Sequence, residues 1–149
     1  MTSRLARQAR GLAAVALLLA GPSYASDERT ARQQRERLAG RALFETHCAV
    51  CHGQGARGDG PLADSLRFRP PDLTRLASRN GGRFDAKLVH RVIDGRAAVK
   101  GHGGPDMPVW GDAFKDSREG FSERVVRQRI ERIVSYLRSI QKQGSRPER

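Results

Sequence analysis

Two cysteines stand three residues apart with a histidine directly after the second, in Cys48-Ala49-Val50-Cys51-His52. They are the only cysteines of a 149-residue chain, so no disulfide framework holds this fold together. The spacing puts two thiols about one helical turn apart with an imidazole beside them. A redox dithiol of this spacing belongs next to a βαβ unit, and no alternating strand pattern of any length accompanies it. A lone structural disulfide leaves His52 unexplained. A zinc site would recruit Cys48, Cys51 and two histidines, but the rest of the chain has no paired motif such as H-x3–5-H.

The reading that uses all three side chains is covalent attachment of one haem. The two thiols add to its two vinyl groups, and His52 lies under the iron as an axial ligand. Attachment of this kind takes place outside the cytoplasm, and an independent export signal agrees. Arg4, Arg7 and Arg10 make a basic start, followed by an apolar and small run from Gly11 to Gly21. That run is shorter than the ~20 residues a bilayer span needs. Ser23-Tyr24-Ala25 puts small residues at the −3 and −1 positions, so residues 1–25 read as a secretory signal peptide cleaved after Ala25. The alternative is retention as an N-terminal anchor. A twin-arginine pair and a cleavage-site cysteine are both missing, which disfavours twin-arginine export and lipoprotein anchoring.

Removing residues 1–25 leaves 124 residues with 41 apolar side chains and 25 basic against 16 acidic groups. A domain so poor in apolar residues is marginal alone, and a haem would supply the missing core volume. Residues 26–37 form a polar, Arg-rich lead. Helix is expected over Asp27–Thr46, polar all round in its first half and apolar near Leu38, Ala42, Leu43 and Phe44. Gly40 inside it marks close approach of another backbone. The stretch from Gly53 to Thr74 is broken by glycines and prolines, with a short turn possible at Leu62–Leu66. A second helix is expected over Phe84–Gly95, capped by Asp85 and ended by Gly95. Gly101–Gly111 reads as irregular. The strongest helix is Ser122–Gln141, where Val126, Ile130, Ile133, Leu137 and Ile140 share one face. Residues 143–149 read as a loose tail.

A single haem needs a second axial ligand. Met107 remains as the only methionine once Met1 leaves with the export segment. It is either that ligand or a core gap-filler. His47, His90 and His102 are the rivals, His47 awkward beside Cys48 and His102 the best placed. The glycine-rich segment Gly53–Gly60 lacks the Lys-Ser/Thr ending of a phosphate loop and no strand precedes it. The basic charge comes without a nucleic-acid motif. It reads as a solvated face or as steering toward an acidic redox partner. No nucleophile triad or carboxylate pair stands out.

Over about Leu38–Ile140 the chain resembles a single-haem class I c-type cytochrome of the periplasmic bacterial kind. The resemblance is carried by Cys48-Ala49-Val50-Cys51-His52 and Met107-Pro108-Val109-Trp110-Gly111. Gly58-Asp59-Gly60-Pro61-Leu62-Ala63, Pro70-Pro71-Asp72-Leu73-Thr74 and Ile93-Asp94-Gly95-Arg96 lie between them. It implies an all-α cytochrome c fold, three to four helices around one haem attached through Cys48 and Cys51, in a domain over residues 38–142. It implies His52 and Met107 as the two iron ligands, with the Pro61 carbonyl accepting the His52 Nδ1 proton. Trp110 would lie at the haem edge with its indole N–H toward a propionate, or be an ordinary core aromatic. Gly40 and Phe44 would cross the last helix at Ile133 and Tyr136. The expected function is one-electron transfer in the periplasm between redox proteins, with no nucleic acid and no membrane span after cleavage. A sixth position filled by Met107 leaves no site for substrate. The alternatives are a subunit of a larger redox complex, or a haem enzyme or gas sensor with an open sixth site.

Overall fold

The structure, a computed structural model, describes residues 21–97, 107–117 and 121–142, with side chains from residue 26 onward. Most of the expected export segment, His102 and the expected tail at 143–149 lie outside the described residues. Among those residues the chain forms six α-helices and no strand. The chain divides between Arg35 and Glu36 into two units. The first contains the start of α1 (Gly21–His47), where every side chain from Ser26 to Arg35 is exposed, as a segment without an apolar face dictates. The helix begins six residues before the expected Asp27, so the expected cleavage point after Ala25 falls within its first two turns.

The second unit holds the rest of α1 and then α2 (Ala49–His52), α3 (Leu76–Arg79), α4 (Ala86–Asp94), α5 (Trp110–Lys115) and α6 (Glu123–Ser139). Two 3-10 turns, Ala63–Ser65 and Leu73–Arg75, interrupt the glycine- and proline-rich stretch. The all-α architecture follows the sequence, and α1, α4 and α6 are the three long helices that periodicity and capping mark out. The three short helices were not expected. Trp110–Gly111, read as irregular chain, instead opens α5, where Val109 O accepts from Asp112 N at 3.1 Å and Ala113 N at 2.9 Å. Asp85 caps α4 by accepting from Leu88 N at 3.0 Å, and Gly95 ends it at φ 83°. Ser122 occupies the capping position of α6 but its hydroxyl makes no capping bond.

The core is a crossing of α1 on α6. The expected patch around Leu38 is misplaced, since Leu38 is 53% exposed. The buried stripe is Gly40, Phe44 and Cys48, each four residues after the last. A Cβ on Gly40 would run into the Arg132 carbonyl, with the Tyr136 Cβ 3.1 Å away. The missing side chain is what lets the two backbones approach. Phe44, fully buried, meets Tyr136 at a ring distance of 5.4 Å, and Ile130, Ile133 and Leu137 fill the same face. At the rim of the crossing Arg132 Nε donates to Glu36 at 2.9 Å.

The end of α6 is fastened to the middle of the chain by one residue that the sequence does not single out. Gln141 accepts from Ala77 N at 2.9 Å and donates to Leu73 O at 2.8 Å and Leu137 O at 2.7 Å. Lys142 N adds a bond to Thr74 O at 2.8 Å. Asp72 secures the same turn, accepting from Thr74 N at 2.9 Å and Thr74 Oγ1 at 2.5 Å. Burial pushes the Asp72 pKa up, but the Thr74 bonds and the Lys142 and Arg79 charges outweigh it and hold the carboxyl below its ordinary value.

Two outcomes follow. Gly40→Ala gains about 1 kcal/mol of helix propensity but overpacks the crossing, so urea unfolding of the haem-loaded protein should show a net loss of about 1–2 kcal/mol. An unchanged or raised midpoint would contradict the crossing. The lowered Asp72 pKa contributes stability that is present above its ordinary value and is lost as pH falls through the folded value. Asp72→Asn should therefore be less stable than wild type at neutral pH. In thermal melts the gap should begin to narrow below the ordinary carboxylate value of about 4 and close once pH has fallen through the lower folded value.

Candidate haem site

The Cys48–His52 turn is built by continuing α1 through a break. Cys48 N donates to Phe44 O at 2.8 Å, and Cys48 O then accepts from Cys51 N at 3.1 Å and His52 N at 2.8 Å. A helix of four residues leaves its carbonyls unpaired, and here the following loop takes them up in turn. Gly53 N bonds Ala49 O at 2.8 Å, Leu62 N bonds Val50 O at 2.9 Å, Gly60 N bonds Cys51 O at 3.2 Å and Gly58 N bonds His52 O at 2.9 Å. Gly60 is required by contact as well. A Cβ there would sit 2.5 Å from Val50 O and 2.6 Å from Ala49 O. The glycines that look like loose loop in the sequence are the seat of the motif. Pro61, exposed, stands between Gly60 and Leu62, the two residues that grip the turn.

This seat orients the motif. Cys48 and His52 are buried, Cys51 is half-buried and Val50 faces solvent. Burial pushes the Cys48 thiol up to about 12, with Cys51 adding to the shift. Such a thiol is neutral at pH 7 and is therefore poorly disposed to bind a metal ion as a thiolate. Among the described residues no three His, Cys, Asp or Glu side chains are placed to hold a metal ion by themselves.

Cys48 and His52 open onto an apolar cavity of about 260 Å³, and Met107 lies on the same cavity. The other walls come from α1, α4, α6 and the segment between α2 and α4. Leu88, Val89, Val92 and Ile93 come from α4, and Ile133 and Leu137 from α6. Leu73 and Leu76 come from the segment that Gln141 fastens, and Phe44 from α1. A thiol, an imidazole and a thioether in an otherwise apolar wall fit a flat apolar macrocycle with an iron that takes nitrogen and sulfur ligands. The cavity lies where the 41 apolar residues of the 124 after position 25 leave the core short.

The rival ligands lie elsewhere. The His47 ring packs on Trp110 and Phe114, each at 5.1 Å, and does not line the cavity. His90 lies on the far side of α4, in a surface groove with Lys87, Arg91 and Arg138. His102 is outside the described residues. Trp110 is half-buried in the aromatic cluster with His47 and Phe114, next to the motif rather than on the cavity wall. The wall residues of the loop, Pro71, Leu73 and Leu76, carry no periodicity that would have marked them in the sequence. Val89, Val92 and Ile93 follow from the helical spacing of α4.

Comparison with known proteins agrees with this geometry. Residues 38–141 match the family model described as Cytochrome c. The cbb3-type cytochrome c oxidase subunit CcoP of Azospirillum brasilense is 32% identical over 78 residues, which are 52% of this chain and 23% of that protein. The match thus spans less than a quarter of that relative's length. No solved structure matches the chain. An all-α unit that seats Cys48, Cys51 and His52 on one turn beside an apolar cavity, within the matched residues 38–141, belongs to the cytochrome c family, whose c-type haem is covalently bound.

Proposed function

We propose that this chain is a periplasmic carrier of single electrons, with Cys48 and Cys51 joined to the haem, His52 as one iron ligand and Met107 as the other. The observation that carries the reading is the shared cavity of Cys48, His52 and Met107. When bound, the haem would supply an iron able to change between Fe(III) and Fe(II), and a thioether together with an imidazole as its ligands would raise the potential. The chain's part is to hold and to exclude. The backbone seat keeps His52 at a fixed angle, and the Pro61 carbonyl is our candidate acceptor for its Nδ1 proton, supported by the bonds of Gly60 and Leu62 on either side. The apolar walls keep water from the ligands. Trp110 is our candidate propionate partner, supported by its packing on His47, the residue before Cys48. Met107 fills the position a substrate or gas would need.

The periplasmic assignment rests on the signal-peptide pattern of residues 1–25. No helix among the described residues is long and apolar enough to cross a membrane. The excess of 25 basic over 16 acidic residues after position 25 suits acidic docking partners. A second reading, a cytochrome subunit of a larger redox complex, is favoured by the oxidase-subunit relative and by the exposed side chains of α1 from Ser26 to Arg35.

Expression with the c-type maturation machinery, followed by absorption spectra and a potential titration, tests the ligand set. Wild type should show a thioether–iron charge-transfer band when oxidised and no prompt CO binding when reduced. Met107→Ala should lose the band, lower the potential and bind CO at once. A Met107→Ala protein with unchanged spectrum and potential would remove Met107 from the iron. Salt-resistant co-purification with a large partner would favour the subunit reading over the free carrier.

A further inference from the structure

The residues just after Met107 are held to the end of α4 by two close packings that interlock. Gly95, at φ 83°, closes α4 with Gly95 N on Val92 O at 3.2 Å and Arg96 N on Arg91 O at 2.8 Å. A Cβ on Gly95 would strike the Val109 methyl Cγ1. Two residues on, a Cβ at the buried Gly111 would strike the Asp94 carboxylate and lie 2.8 Å from the Asp94 carbonyl. That carboxylate is largely covered, 14% exposed, and its other oxygen takes Arg96 Nε at 2.7 Å. A side chain of α4 thus fits over a glycine of α5, and a side chain at the start of α5 fits over the glycine that ends α4. Val109 is also the residue whose carbonyl begins α5. The segment Val109–Gly111 therefore has one place to sit, and Met107 hangs from it onto a cavity that Val89, Val92 and Ile93 of the same α4 also line.

We infer that Gly95 and Gly111, with Val109 and Asp94 as their counterparts, are positioning residues that keep the Met107 thioether at the iron and thereby decide how readily an outside ligand enters. The inference rests on Met107 as an iron ligand. Met107 stands two residues before Val109, so a side chain at either glycine displaces the segment that carries Met107 and opens the sixth position without touching iron, haem or Met107. Because apparent affinity for an entering ligand scales with the open fraction, the interlock is readable as a binding constant.

The test titrates the oxidised, haem-loaded protein with imidazole and the reduced protein with CO. Gly111 lies in ordinary helical backbone, so Gly111→Ala adds a contact without backbone strain. Gly111→Ala and Gly95→Ala should each raise the apparent imidazole affinity by about tenfold or more and weaken the thioether–iron band. Adding Val109→Ala to Gly95→Ala removes the methyl that the new Cβ strikes and should recover most of the change, a coupling that independent sites do not show. Ile130→Val, which loosens the core at a buried residue off the cavity wall, should bind imidazole as wild type does. The interlock is overturned if both glycine variants bind imidazole like wild type while Met107→Ala binds it tightly. It is also overturned if Val109→Ala rescues nothing and Gly111→Ala is silent, or if Ile130→Val opens the site equally. Met107→Ala that leaves imidazole affinity unchanged removes the ligand assignment itself, and the interlock with it.

Discussion

Everything in this molecule depends on how the turn from Cys48 to His52 is seated. A four-residue helix is normally a poor platform, because it satisfies almost none of its own carbonyls. Here Ala49, Val50, Cys51 and His52 each give their carbonyl to an amide of the loop that follows. The bonds run to Gly53, Leu62, Gly60 and Gly58, so the loop is wound back under the turn it has just left. Gly60 must be glycine because it lies almost in contact with two of those carbonyl oxygens. With the backbone fixed in this way, a buried thiol and a buried imidazole reach one cavity from a single turn.

The rest of the second unit serves that cavity. The crossing of α1 on α6 at Gly40 sets Phe44, Ile133 and Leu137 as one side of it, and α4 supplies another through Leu88, Val89, Val92 and Ile93. Gln141 reaches back from beyond α6 to hold Leu73 and Ala77 by backbone bonds, which places Leu73 and Leu76 on the wall without any helix of useful length. The arrangement explains how a chain with few apolar side chains reaches a defined fold. Beyond the core at the α1–α6 crossing, its apolar groups are spread around a space, and the covalent haem of the family belongs in that space.

Much of this was legible in the sequence, and for identifiable reasons. The Cys48–His52 spacing is a chemical constraint that survives without any knowledge of the fold. The α6 stripe from Val126 to Leu137 is long enough to show its period, and Asp85 and Gly95 bracket α4 with the residue types its ends demand. Gly40 stood out because a glycine among good helix formers needs a packing reason, and the Arg132 carbonyl is that reason. Leu38 looks like core in the sequence because it begins an apolar patch, whereas the buried face is fixed by Gly40 and Phe44. The helices α2, α3 and α5 are four to six residues long and too short to show a period. The Gln141 clasp joins residues more than sixty positions apart through backbone atoms, which leave no trace in side-chain pattern. In the sequence the glycine-rich loop shows only as a stretch broken by glycines and prolines, and its task of pairing the carbonyls of α2 is visible only in the bonds.

The most direct test of the account is the intact mass of the protein recovered from a host with c-type maturation, measured after denaturation and acid extraction of any loosely held haem. The account predicts one species heavier than the polypeptide by one haem, with the added mass mapping to the peptide that contains Cys48 and Cys51. A polypeptide that matures beside a working c-type cytochrome yet retains no haem after extraction would contradict it.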